Sequence, residues 1–268
     1  MPWRETRDPY KILVSEIMLQ QTQIPRVLPK YQEFLQEFPT PQALAKAPDK
    51  KLLKVWAGLG YWRRAKYLKK AARTVDLRRR VGPRAKRGVK RDEKLQSERN
   101  FLETLPGVGH YTARAVACFA FGSKEAFLDT NIRRVYLHFF FGDKNGVTDK
   151  EILQIAQKAI DTLPKGTTPR EWHYALFDYG AVVLKKDRTI NKRSRHYAKQ
   201  SKFAGSFRSF RTKAVRFILA SPSNKVSHKE LHTFLKKELA DSSYTPQEVT
   251  QALLKDKLIK KSKTHYSL

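Results

Sequence analysis

Two glycines flank a valine at Gly107-Val108-Gly109, inside the run from Leu105 to Ala117, and a carboxylate, Asp129, follows twenty residues after the second glycine. Pro106 and the glycines suit the end of one helix and let the backbone pass close to a ligand. The next helix then starts near His110, and the free N–H groups of such a start can bind a phosphate. A backbone phosphate clamp beside a catalytic acid is one reading, and a plain helix turn uses the same residues. Asp129 precedes Asn131-Ile132-Arg133, where a helix should begin, so it also suits an N-cap, and one residue can serve both purposes. A second acid, Glu16, has Ile12, Leu13 and Leu19 as helical neighbours. Apolar surroundings disfavour a charged carboxylate and raise its pKa, which suits a general acid at neutral pH. A glutamate at the edge of a core fits the same pattern.

The elements that position these groups are mostly helical. Tyr10, Leu13, Val14, Ile17 and Met18 share one face of a helix over 9–22, opened by Asp8-Pro9. Further helices are expected over 26–37, 41–46, 49–57, 61–76, 98–105, 110–121, 130–141, 149–162 and 170–184. Residues 78–99 hold ten basic residues and almost no apolar face, which predicts a mobile loop. It either orders on a polyanion or is a solvated insertion. Residues 185–216 are basic again, with Phe203, Phe207 and Phe210 interleaved. Beyond residue 206, helices at 207–220, 227–240 and 245–255 precede a short hairpin, which suggests a winged-helix-like unit. Ser227 and Thr245 read as N-caps.

The chain has 268 residues, with 55 Lys and Arg against 25 Asp and Glu, a formal net charge of +30. Such an excess points to a polyanionic partner, nucleic acid first. The single cysteine, Cys118, cannot form an internal disulfide or hold a metal cluster, and its apolar surroundings suggest a core position. No apolar run reaches the roughly 18 residues of a membrane span, and the first residues have no signal-peptide character. The expectation is an intracellular monomer, in cytoplasm or nucleoid, with no membrane association and no cofactor or metal.

Several motifs stand in order: PW at 2–3, DPYKILVSEIMLQQTQ at 8–23, GLGYWRRAKYL at 58–68, LPGVGHYTA at 105–113 and LDTNIRRV at 128–135. The chain resembles the helix-hairpin-helix DNA glycosylases related to endonuclease III, and within them the MutY-type adenine glycosylases, over roughly residues 1–200. The resemblance implies a two-lobed, mostly α glycosylase domain over 1–205, with one lobe about 23–125 and the other 1–22 plus 126–205, followed by the unit at 206–268. It implies double-stranded DNA carrying a mismatch or lesion as partner. It also implies roles. Glu16 protonates the departing adenine, Asp129 stabilises positive charge growing on the sugar, and Asn131 supports the site. Tyr111 stands where bifunctional relatives carry a lysine that forms a Schiff base, so the chain resembles the monofunctional members. Trp3, Arg4 and Tyr174 fall near the base pocket. Gln20, Gln21 and Tyr61 match residues that contact or wedge into the duplex. Gly107, Val108, Gly109, His110 and Thr112 form the hairpin that holds the backbone.

Departures accompany the match. The four iron–sulfur cysteines of many relatives are missing from 184–203. Tyr174 stands where relatives often carry Gln or Glu. The last 63 residues are too few for the lesion-reading domain of MutY, and the helix preceding the PW motif in relatives has no counterpart. The implied activity is release of adenine opposite guanine or 8-oxoguanine. A mismatch thymine or uracil glycosylase is the alternative, and a non-catalytic DNA-binding protein a further one.

Overall fold

The computed structural model describes residues 1–81, 91–187, 189–199 and 201–268, with no side-chain description at 79–81, 91 and 92. In chain order the helices are α1 (Pro2–Glu5), α2 (Pro9–Leu19), α3 (Ile24–Glu37), α4 (Pro41–Lys46), α5 (Asp49–Trp56), α6 (Arg63–Val81), α7 (Arg91–Glu103), α8 (His110–Phe121), α9 (Thr130–Phe140), α10 (Asp149–Asp161) and α11 (Pro169–Asp178). A π-helical turn (Tyr179–Val183) extends α11, and a 3-10 turn (Ile190–Arg193) follows. Then come α12 (Phe207–Ala220), β1 (Lys225–Ser227), α13 (His228–Glu238), α14 (Pro246–Lys255), β2 (Lys260–Lys261) and β3 (His265–Ser267). Among the described residues no helix is long and apolar enough to cross a membrane.

The chain divides into two compact units, Met1–Glu16 with Arg84–Lys199, and Ile17–Pro83 with Gln200–Leu268. This division differs from the expected lobes. Residues 206–268 cluster with 17–83 rather than standing apart, and the hairpin before α8 falls in the first unit. Short-range patterning shows where helices form but not which of them share a core.

In the first unit, capping sets the helix starts. Thr148 and Thr168 each accept from the backbone three residues on while Glu151 and Glu171 return the bond, closing capping boxes at α10 and α11. Proline at the first turn of α11 has no N–H to lose there. The core is built from α8, α9 and α11, with Val116, Phe119, Phe127, Ile132 and Leu176 buried. Phe127 lies between partners, edge-on to Phe119 at 5.6 Å and stacked on His173 at 3.9 Å.

The loop expected over 78–99 is corrected at both ends. Residues 78–81 continue α6 and 91–99 begin α7; the rest of that stretch lies outside the described residues. Arginine, lysine, glutamate and glutamine are good helix formers, and pairs one turn apart support a polar helix: Gln96 Nε2 donates to Asn100, and Arg99 lies 3.0 Å from Glu103. The expected helix over 9–22 stops at Leu19, where Arg64 takes the terminal carbonyls, and the one over 170–184 passes into the π-helical turn.

In the second unit, α3 packs on α5 through Phe34, which meets Phe38 at 5.0 Å and Trp56 at 5.9 Å. Arg64 is the organising polar group. It is buried and donates to the carbonyls of Ile17 and Met18 at 2.8 Å, Leu59 at 3.1 Å and the Thr22 hydroxyl at 3.0 Å. It thereby satisfies the open C-terminal end of α2 and the Gly58–Gly60 turn together. Burial lowers its pKa to about 10, so it remains cationic at neutral pH. In the same unit, α12, α13 and α14 surround Val215, Leu231 and Leu253. Ser227 and Thr245 cap α13 and α14 with boxes closed by Glu230 and Glu248. The expected terminal hairpin is β2–β3, and β1 joins it in an antiparallel sheet of order β1-β3-β2, with Val226 opposite Tyr266.

Candidate active site

The carboxylates read from the sequence meet in the first unit. Glu16 lies on α2, 7 % exposed. Burial is the main influence on it and raises its pKa from 4.5 to about 7. A hydrogen bond from Tyr111 opposes the rise and the nearby charge of Asp129 adds to it. Glu16 therefore titrates near neutral pH and can hold a proton there. Tyr111 sits at the second position of α8. Burial first, then the charges of Glu16 and Asp129, hold its phenol well above its ordinary value, so it stays a donor. Its ring meets Phe127 edge-on at 5.7 Å.

Asp129 is the N-cap of α9. One carboxyl oxygen accepts from the amides of Ile132 at 2.7 Å and Asn131 at 2.9 Å, and the other accepts from Asn131 Nδ2 at 3.1 Å. Burial raises its pKa from 3.8 to about 6, against the pull of those amides and the Arg133 charge. At pH 7 it is largely ionised beside a glutamate that is about half protonated. Two carboxyl groups with separated pKa values are the signature of an acid paired with a charge stabiliser. Arg133 is held in turn by two bonds of 2.8 Å to Asp149.

A further residue escaped the sequence reading. Gly180, in the π-helical turn, lies so close to α9 that an added Cβ would sit 2.3 Å from the Asn131 carbonyl oxygen. Only glycine allows this approach, which fixes Asn131 and hence the Asp129 cap. Nothing local to residue 180 signals it, because the constraint comes from a chain segment fifty residues away.

Tyr174 stands near Glu16, which is among the charges acting on its phenol; burial chiefly raises that phenol to about 12. Its ring stacks on Phe119 at 4.6 Å, and the Arg4 guanidinium covers it at 4.5 Å. Arg4 is fixed by two 2.7 Å bonds to Asp178, a partner not anticipated from sequence. Arg170 donates to the Arg4 and Thr6 carbonyls at 2.6 and 2.8 Å, tying the N-terminal segment to α11. Trp3 is buried. Cys118 is in the core, and burial pushes its thiol up to about 12, so it is no nucleophile. His173 is buried with its pKa lowered to about 4, chiefly by burial, and is neutral at pH 7.

The hairpin reads as expected in its backbone. Gly107 has φ +83°, Leu105 and Val108 are buried, and Val108 donates to the Leu105 carbonyl at 3.1 Å. Gly109 is the N-cap of α8 and no side chain caps that end. A Cβ at Gly109 would meet no protein atom, so the surface over the helix start is open. His110 is exposed, its Nδ1 3.0 Å from Glu103, and Thr112 is buried.

Gln20, Gln21 and Tyr61 belong to the second unit. Gln21 and Tyr61 have φ of +55° and +46°. The Tyr61 hydroxyl accepts from Arg208 at 3.0 Å, while Trp62 beside it is buried. Among the described residues no group of His, Cys, Asp or Glu gathers as metal ligands. Residues 184–199 offer lysines, arginines and a tyrosine where a cluster needs thiolates, so that donor set does not suit an iron–sulfur cluster.

The family described as HhH-GPD superfamily base excision DNA repair protein matches residues 14–162, which include Glu16, Tyr111, Asp129 and Asn131. The chain belongs to that superfamily. Adenine DNA glycosylase of Mycobacterium tuberculosis is 39% identical over 184 residues, covering 68% of this chain and 56% of its own length. Thymine/uracil-DNA glycosylase of Methanothermobacter thermautotrophicus is 34% identical over 187 residues, covering 68% of this chain and 76% of its own. The solved structure of a thermostable thymine-DNA glycosylase aligns with a TM-score of 0.57 at 32% identity, over 70% of this chain and 81% of that one. The chain spans about half the length of the adenine glycosylases it matches. For this HhH-GPD member, the family match ends at residue 162, short of Tyr174, Gly180 and everything from α12 onward.

Proposed function

We propose that the protein is a monofunctional DNA glycosylase of base excision repair, releasing adenine mispaired with guanine or 8-oxoguanine. The observation that carries this is the buried Glu16, titrating near 7, hydrogen-bonded by Tyr111 and beside the capped carboxylate of Asp129. Cleavage of an N-glycosidic bond leaves electrons on the base and positive charge on the sugar. Protonated Glu16 gives its proton to a ring nitrogen of the leaving base, and Asp129 faces the growing positive charge. Water then adds to the sugar and Glu16 recovers a proton. Tyr111 cannot form a Schiff base, so the product is an abasic site with an intact strand.

A carboxyl poised to donate a proton favours a base with basic ring nitrogens. Adenine has them, whereas thymine and uracil present carbonyls and leave as stabilised anions. Thymine or uracil opposite guanine is the second reading, supported by Tyr174 standing where adenine-releasing relatives often carry Gln or Glu and by the longer coverage of the thymine/uracil relative. Duplexes with A opposite 8-oxoguanine, A opposite G, T opposite G and U opposite G, incubated with the protein and then treated with alkali, separate the readings. Breaks in only the A-containing strands support adenine release; breaks at T or U support the second reading; intact strands with retained binding refute both.

A further inference from the structure

The second unit holds a cavity of about 700 Å³, within the roughly 300–1,000 Å³ that ligand sites occupy. It opens between the Gly58–Trp62 turn, inside the segment that matches the family, and Phe203 with α12, which lie beyond that segment. Among the described residues six arginines line it, Arg26, Arg63, Arg64, Arg208, Arg211 and Arg216, and no carboxylate does. Asp256 behind it pairs with Arg211 and lies 3.3 Å from Arg63, which offsets only part of that charge. Arg26 and Arg216 are exposed and make no side-chain hydrogen bond or ion pair with a described residue. Two cations facing a cleft without partners are suited to an anion.

Aromatic faces accompany the charge. Phe203 lines the cavity with 54 % of its surface exposed, and the Arg208 guanidinium lies 5.9 Å from the Phe203 and Tyr61 rings alike. Arg208 is held by its bond to the Tyr61 hydroxyl. Gln21 and Tyr61, both at the cavity, sit in the left-handed backbone region that favours glycine. Such strain persists only where surrounding structure holds it, and it gathers at binding sites.

We propose that this cavity binds one nucleotide of a DNA strand, its base against Phe203 and Tyr61 and its flanking phosphates on Arg26, Arg208 and Arg216. With no acid among the described lining residues, it is a recognition site and not a hydrolytic one. The C-terminal helix α12 thus gives this chain a DNA contact of its own. The inference rests on DNA as partner but not on base release.

The test is binding of fluorescein-labelled pentathymidylate to the full chain, read by anisotropy across a salt series. Arg26→Ala and Arg216→Ala, which break no side-chain bond to a described residue, should each weaken binding about tenfold and lower the salt slope by about one. Lys158→Ala, an exposed charge elsewhere, should change it less than twofold. Phe203→Ala should weaken binding about tenfold through lost stacking. Thymidine monophosphate and inorganic phosphate serve as competitors. Arginine variants no weaker than Lys158→Ala would overturn the proposal. So would inorganic phosphate competing as well as the pentamer, which would make the cavity an anion site, or the mononucleotide binding as tightly as the strand, which would make it a free-nucleotide site. The probe contains no mispair, so this outcome is independent of whether the protein releases a base.

Discussion

Replacing Glu16 by glutamine should destroy base release and stabilise the protein, and the two effects should have opposite pH behaviour. The buried carboxyl has its pKa raised from 4.5 to about 7, mainly by burial. Between those values the folded protein keeps a proton that the unfolded chain has released. Stability therefore falls as pH rises through this window, by about 3 kcal/mol at 1.36 kcal/mol per pH unit, and stays lost above it. Glutamine has the same shape, never ionises, and still accepts the Tyr111 hydroxyl through its carbonyl oxygen. Glu16→Gln should match wild type near pH 4.5 and exceed it at pH 8 by up to about 3 kcal/mol, a rise in Tm on the order of 5–10 °C. For catalysis, an ordinary glutamate would be protonated roughly one time in 300 at pH 7, against one in two here, so burial multiplies the active form about 150-fold. Loss of the acid should lower single-turnover release by about 10³. Thermal melts at pH 5, 6, 7 and 8 with both proteins decide the matter. A stability difference that is absent, or the same at every pH, would refute the claim that burial holds this proton.

Other substitutions probe the remaining parts. Asp129→Asn keeps a good N-cap for α9, since the amide oxygen still accepts from Asn131 and Ile132, but removes a buried charge whose pKa is raised from 3.8 to about 6; melts at pH 8 should therefore gain up to about 3 kcal/mol, less the lost Asn131 Nδ2 bond, while single-turnover release falls about 10³-fold. Tyr111→Phe removes the bond that holds the Glu16 pKa down, so the alkaline limb of the rate profile should move to higher pH. Gly180→Ala puts a Cβ 2.3 Å from the Asn131 carbonyl and should cost about 2–4 kcal/mol by denaturant melts, with slower release. Arg64→Met leaves several buried carbonyls unpaired and should destabilise the protein by about 3 kcal/mol in the same assay.

The acids of the site were legible in the chain because each carries a local signature. Glu16 has apolar helical neighbours, and Asp129 precedes a helix start. Gly107 and Gly109 mark the hairpin in the same way. What joins them has no local signature: only the family resemblance implied that Glu16, Tyr111 and Asp129 share a site, and nothing pointed to Gly180. The proximity of Glu16 to Tyr111, and of Gly180 to Asn131, depends on how segments far apart in sequence pack, and no periodicity encodes that. Charge density misled the reading of residues 91–99, where a polar helix is held by pairs one turn apart. The cavity beside α12 was hidden for a similar reason: its arginines are scattered from residue 26 to residue 216 and only the fold gathers them.

The most direct test of the central claim is the pH dependence of single-turnover base release from a duplex with adenine opposite 8-oxoguanine. With Asp129 ionising at about 6 and Glu16 losing its proton at about 7, the rate should climb through the first value, fall through the second and peak near 6.5. Glu16→Gln should abolish the alkaline limb along with most of the rate. A wild-type rate that keeps rising above pH 7, or a Glu16→Gln variant that retains the full profile, would contradict acid-assisted release at this pair of carboxylates.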